Sequence, residues 1–107
     1  MAKFEKVTVE KNANIYFDGK VTSRTVFFAD GSRKTLGIML PGDYEFGTAA
    51  PEMIEILSGE LEVLLPGKDA WTRFAAGDTI GVPGDSKFKL KVFSVVDYCC
   101  SYLENRR

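Results

Sequence analysis

The residues able to do chemistry are few and clustered. Tyr44, Phe46 and Thr48 alternate along the chain and Glu52 follows just past Pro51; later, Ser86, Phe88 and Leu90 alternate with Lys87, Lys89 and Lys91. Side chains two apart on a strand share a face. Tyr44, Phe46 and Thr48 are therefore expected on one side of their strand, and Phe88, Leu90 and Val92 on one side of theirs. Rings, a hydroxyl and a carboxylate are the mix of a small-molecule pocket, mostly apolar with a few aimed polar groups. The chain has no histidine and only two cysteines, the adjacent Cys99 and Cys100. Metal ligation is left with scattered carboxylates, which suit hard cations weakly held; no metal site is expected, and a metal-dependent dioxygenase or isomerase is set aside. Neighbours on a strand point to opposite faces, so the two thiols are expected unbridged, one in the core and one at the surface.

The sequence supplies a β framework to position these groups. Turn signals recur at Asp18-Gly19, Asp30-Gly31, Pro41-Gly42, Ser58-Gly59, Pro66-Gly67, Ala76-Gly77-Asp78 and Pro83-Gly84. Each offers a positive-φ residue or a pre-bent φ, which a tight reversal needs. Between them lie runs rich in Val, Ile, Phe, Thr and Tyr, at residues 21–29, 35–40, 53–57, 61–65, 87–92 and 95–103. Leu61, Val63 and Leu65 alternate with Glu60, Glu62 and Leu64. No segment keeps an i, i+3, i+4, i+7 apolar stripe. The pattern predicts an all-β fold with little or no helix, an antiparallel sandwich or barrel. Residues 1–12, where Val7 and Val9 alternate with Thr8 and Glu10, read as an N-terminal tail or an edge strand, and residues 13–107 as a single domain.

Bulk properties narrow the partners. The chain has 107 residues, enough to bury one core. Fourteen basic against fifteen acidic residues leave a formal net charge of -1, which gives no electrostatic reason to expect nucleic acid or a membrane surface. Arg106 and Arg107 read as a solvated end. No apolar run approaches the roughly 20 residues that span a bilayer, and the first dozen residues mix charges too evenly for a signal peptide. A cytoplasmic location is the expectation.

The spacing from Pro41 to Gly59, followed by Gly77 to Pro83, resembles the two cupin signatures. Phe46 and Thr48 stand in the first pair of histidine places, Glu52 at the glutamate, Gly59 at the closing glycine, and Phe88 at the last histidine. The resemblance implies a single-domain cupin, a jelly-roll-like barrel. It turns the Tyr44-Phe46-Thr48 face and Glu52 into the barrel, with Phe88, Leu90 and Val92 on the opposite wall. A carboxylate so placed must be paired, protonated or in contact with water or ligand.

More of the chain resembles the small cupin-type pyrimidine/purine nucleoside phosphorylases. The likeness rests on Tyr16-Phe17, Gly19-Lys20-Val21, Gly37-Ile38-Met39, the run Gly42, Tyr44, Phe46, Thr48-Ala49, Pro51-Glu52, and Ser58-Gly59. It continues through Trp71, Val82-Pro83-Gly84, Ser86, Phe88 and Leu90 to Tyr98, Cys100 and Tyr102-Leu103.

That family implies phosphorolysis: nucleoside plus inorganic phosphate gives free base plus ribose 1-phosphate, with no metal or other cofactor and a loose base preference. Glu52 and Thr48 are then the catalytic candidates. An inward Glu52 either steadies positive charge at the anomeric carbon or, protonated, assists the departing base; the sequence leaves both open. Tyr44, Phe46, Phe88, Ser86 and Tyr102 are the substrate-binding candidates, the rings stacking on the base. Phosphate needs a cation or a nest of backbone N–H groups, for which Arg33 comes first, with Thr35 and Lys20 behind it. A homodimer is expected, since small cupins pair through edge strands. The alternative reading is a non-catalytic degenerate cupin holding a nucleoside, sugar or similar ligand as a sensor; a cation at the cavity favours the enzyme, a wholly apolar cavity the binder.

Overall fold

The computed structural model describes residues 2–103; Arg106 and Arg107 lie outside the described residues. Eleven strands occur among the described residues. They are β1 (Thr8–Val9), β2 (Asn14–Tyr16), β3 (Val21–Phe27), β4 (Arg33–Met39), β5 (Gly42–Thr48), β6 (Glu52–Ser58), β7 (Glu60–Leu64), β8 (Thr72–Ala75), β9 (Thr79–Val82), β10 (Ser86–Val92) and β11 (Val96–Tyr102). One 3-10 turn, Phe17–Gly19, joins β2 to β3. Every turn signal in the sequence falls at a junction between two strands. The fold is all-β, as the alternation predicts, and of cupin type.

Two antiparallel sheets face each other. The larger has the order β1-β3-β4-β11-β6-β9, with β2 also on β3; the smaller is β5-β10-β7-β8. β1 lies on β3 of its own chain, pairing Thr8 with Phe27 and Val9 with Val26. Ile54, Ile56 and Val96 from the larger sheet meet Leu61, Val63, Leu90 and Val92 from the smaller in a core with almost no exposure. Each such side chain contributes about 1.5–3 kcal/mol on leaving water.

Pairing corrects one expectation. Phe88 sits directly across from Phe46, and Leu90 from Tyr44, because β10 is the neighbour of β5. These rings therefore share one wall. The opposite wall is the inner face of β3, β4, β11 and β6.

The cysteines are unbridged as expected, but both are buried where one was expected at the surface. β11 is central in the larger sheet, with β4 and β6 on either side. Even on its outer face Cys99 is shielded, lying between the longer Leu36 and Glu55.

Two glycines are fixed by close approach. A Cβ on Gly37 would sit 2.6 Å from the Tyr98 hydroxyl. Gly37 is therefore the slot in which the Tyr98 phenol lies on its way to donate to the Thr22 carbonyl, 3.3 Å away. Gly59 has φ +93, and a Cβ there would strike the Val95 backbone, so the β6–β7 reversal accepts nothing larger.

Candidate active site

Strand register builds the site row by row. On the larger sheet, Ser23, Gly37, Tyr98 and Ile56 lie side by side across four strands. The next inward row is Thr25, Thr35, Cys100 and Ile54. Tyr102 beside Glu52 forms the row after it, with Val82 beyond, and Arg33 at the start of β4 lies against Tyr102. This wall is polar. The smaller sheet answers with Phe46 and Phe88, ring centroids 6.1 Å apart and planes inclined by 29°.

Between them is a cavity of about 310 Å³, lined by Glu52, Arg33, Thr35 and Tyr102 and by the rings of Phe46, Phe88 and Tyr16, among others. Tyr16 meets Phe46 edge to face at 5.8 Å. The chain then turns through two non-glycine residues with positive φ, Phe17 at 52° and Asp18 at 56°, before Gly19 at 89°. Left-handed backbone at such residues costs free energy. Phe17 offsets it by packing on Tyr44 and Phe46, at 5.0 and 5.3 Å.

Glu52 is half-buried, and its side chain accepts from the Cys100 thiol at 3.4 Å. Burial pushes its carboxyl above the usual range, while the Cys100 contact and the charge of Arg33 pull it partly back. The Arg33 guanidinium stacks 3.9 Å above the Tyr102 ring, a cation–π contact that fixes its plane. Tyr102 Oη and Thr35 Oγ1 are 3.2 Å apart. Burial is also the largest influence on the hydroxyls and thiol of this wall. It pushes Tyr102 up to about 12, and it raises Tyr98 and Cys100 as well. All three keep their protons at neutral pH; Tyr98 donates to the Thr22 carbonyl and Cys100 to Glu52. Ser23 and Thr25 are tied at the back by the Asn14 amide, 3.2 Å from each hydroxyl.

Of the residues singled out in the sequence, six line this cavity: Glu52, Phe46, Phe88, Tyr102, Arg33 and Thr35. Four do not. Thr48 Oγ1 donates to the Pro83 carbonyl at 2.7 Å, and Ser86 Oγ donates to the same oxygen at 2.7 Å. Both hydroxyls brace the β9–β10 turn, which directs them away from the cavity. Tyr44 is a core residue whose hydroxyl donates to the Leu40 carbonyl at 2.7 Å. Lys20 is exposed beside the 3-10 turn. Tyr16, Ser23, Met39, Ile54, Tyr98 and Cys100 also line the cavity, and nothing in the sequence assigned them a site role. The period-two spacing of Tyr98, Cys100 and Tyr102 carried the signal for two of them.

The frame positions of a metal-binding cupin test the donor set. Two phenyl rings have no lone pair to give, Thr48 is committed to Pro83, and Glu52 is left as the one oxygen ligand of the frame. These residues do not fit a resident transition metal.

Two facing antiparallel sheets around a ligand-sized cavity define a small cupin. The sequence profile of the pyrimidine/purine nucleoside phosphorylases matches residues 11–102. A relative of that name from Sulfurovum sp. (strain NBC37-1) is 65% identical over 103 residues, covering 96% of this chain and 100% of the relative. Another, from Hydrogenovibrio crunogenus, is 59% identical, covering 97% and 100%. A crystal structure of a protein of unknown function from Acinetobacter sp. ADP1 superposes with a TM-score of 0.91 at 43% identity, covering 94% of this chain and 97% of that one. The EutQ protein of Clostridium difficile superposes at 0.64 with 17% identity over 77% and 67% of the two chains, a likeness of fold alone. The chain belongs to the pyrimidine/purine nucleoside phosphorylase family.

Proposed function

We propose that this protein cleaves purine and pyrimidine nucleosides with inorganic phosphate, giving free base and ribose 1-phosphate, without a metal. The observation that carries the reading is the division of the cavity: phenyl rings on one wall, and Glu52 and Arg33 close together on the other. A base stacks on Phe46 and Phe88. Among the described residues the lining has no Asn, Gln or Asp side chain to read a base edge, and every base has a π-face, so purines and pyrimidines are both accepted. Arg33, held flat by Tyr102, takes phosphate through paired N–H groups. A phosphate oxygen bonds to the anomeric carbon as the bond from that carbon to the base nitrogen breaks. The electron pair leaves with the base, which takes up a proton. Positive charge on the sugar in the transition state is stabilised by the carboxylate of Glu52, or Glu52 in its acid form supplies the proton. Arg33 at the cavity favours this reaction over a passive sensor.

The test is direct. Purified protein incubated with inosine or uridine releases free base when phosphate is present and none when it is withheld, and prior treatment with EDTA leaves the rate unchanged. Release without phosphate, no release in either case, or loss of activity restored by a divalent ion would each overturn the reading.

With its two unbridged thiols the enzyme suits the reducing cytoplasm. It works as a homodimer through the outer face of the larger sheet, where Leu36, Ile38, Met53 and Leu57 are exposed. One row across that face runs Arg24, Leu36, Cys99, Glu55. A two-fold axis at its centre sets Arg24 of each copy over Glu55 of the other, the self-complementarity an isologous contact requires. Sedimentation at micromolar concentration gives a dimer mass, and Leu36→Lys lowers it to the monomer. A monomer at all concentrations in the unmodified protein would refute the pairing.

A further inference from the structure

We infer that Cys100 is a positioning residue whose thiol holds the Glu52 carboxyl group turned into the cavity. The kinetic consequence rests on the phosphorolysis reading; the contact itself does not. Cys100 lies on the inner face of β11, 3% exposed, between Thr35 and Ile54. Glu52 is one row along on the neighbouring strand, and the thiol reaches it diagonally, donating to Oε1 at 3.4 Å. Burial, helped by the negative charge of Glu52, raises the thiol, so it is protonated and able to donate at neutral pH.

Among the described residues, Cys100 is the side chain that hydrogen-bonds the Glu52 carboxyl. On β11 the other titratable neighbour is Tyr102, paired directly across from Glu52. On β4, Arg33 acts through its charge. Glu52's partner on β9 is Val82, and the facing sheet brings Phe46 and Phe88 to the cavity; none of these carries charge. A carboxyl attracted to Arg33 alone would swing toward it and occupy the place where phosphate binds. The thiol restrains that movement.

The weakness of the thiol is part of its role. A sulfur donor is longer and weaker than a hydroxyl. Serine would favour the ionised carboxylate more strongly and draw it toward β11, whereas alanine would release it. Glycosyl transfer needs a carboxyl that is held in place yet free to change its charge or proton load through the cycle. A thiol meets both demands.

The test reads Glu52 itself. In protein labelled with ¹³C at glutamate carboxyls, the Glu52 resonance is identified by its loss in Glu52→Gln, and its titration midpoint is measured. The midpoint moves to lower pH in Cys100→Ser and to higher pH in Cys100→Ala, and it stays put in Cys99→Ser, on the opposite face. The pH profile of kcat shifts in the same directions. The unmodified protein gives a second measurement that does not depend on the variants folding. Of its two S–H stretching bands in the infrared, the one belonging to Cys100 moves toward the free-thiol position as Glu52 takes up its proton. Midpoints that do not move, or that move the same way in both Cys100 variants, overturn the inference, as do two S–H bands indifferent to pH. Should Glu52→Gln keep full activity while the midpoints separate as described, the role of Glu52 in phosphorolysis falls and the contact stands. An inactive Glu52→Gln with unmoved midpoints removes the role of Cys100 alone.

Discussion

Glu52→Gln lowers turnover roughly tenfold or more with the barrel intact, since an interaction made only in the transition state is worth about 1.4 kcal/mol at least. Glutamine keeps the shape of the side chain and an oxygen able to accept from Cys100. It gives up the negative charge that steadies the sugar, and it has no acidic proton for the base. Turnover therefore falls whichever of the two roles Glu52 plays. The effect is on kcat, while the nucleoside KM changes little, because the base is held by the rings of the other sheet.

The same substitution raises the melting temperature at pH 7. Burial lifts the Glu52 carboxyl above its usual range, so the folded protein binds this proton more tightly than the unfolded chain does. The contribution of such a group to stability is greatest at low pH, where it is protonated, and declines as pH rises through its folded value. At neutral pH the half-buried carboxylate opposes folding, and a neutral amide removes that cost. The advantage of the variant shrinks as the pH is lowered toward the range where glutamate is itself protonated. Slower turnover with a higher melting temperature at pH 7 is the joint signature of a residue kept for chemistry. Unchanged kinetics would remove Glu52 from the mechanism, and a lower melting temperature would show that the charge is stabilising where it stands.

The strands were legible wherever alternation ran long enough to show. Lys87 to Val92 reads as a strand at sight, and β10 spans it. β8 and β9, four residues each, and β2, with three, are too short for a period of two to stand out. Their place is fixed instead by pairing with longer partners such as β3, β6 and β7. The site was half legible for a related reason. Alternation says which residues share a face; it does not say how far along a strand the cavity extends. Thr48 shares its face with Phe46 and yet falls at the rim, where the Pro83 carbonyl captures its hydroxyl. Which wall Phe88 belongs to is a matter of strand order, a property of contacts distant in sequence, and the cupin resemblance put it on the wrong one. The polar wall was legible in Glu52, Arg33, Thr35 and Tyr102 but not at its back, where Ser23 and Thr25 are ordinary strand residues until β2 brings Asn14 against them.

Arg33→Ala raises the KM for phosphate by roughly tenfold to a hundredfold and leaves the nucleoside KM within about twofold, the range set by removing charge-assisted hydrogen bonds to an anion. The way the guanidinium is held decides this. Arg33 starts β4 immediately after the Asp30-Gly31 turn, a position from which an arginine would ordinarily extend into solvent. The Tyr102 ring, 3.9 Å beneath it, keeps it against the cavity instead, and Tyr102 is steadied in turn by Thr35 at 3.2 Å. Arg33→Lys separates charge from geometry: it keeps the charge and loses the planar fork that matches two phosphate oxygens, so its phosphate KM falls between those of the unmodified enzyme and the alanine variant. Tyr102→Leu keeps the guanidinium and its charge and removes the ring beneath it, so its phosphate KM rises by less than in the alanine variant. Tyr102→Phe retains the ring and gives a smaller rise. A phosphate KM unchanged in Arg33→Ala would move the anion site elsewhere in the barrel. Equal values for the lysine and unmodified enzymes would reduce Arg33 to a point charge and make its stacking on Tyr102 irrelevant to phosphate.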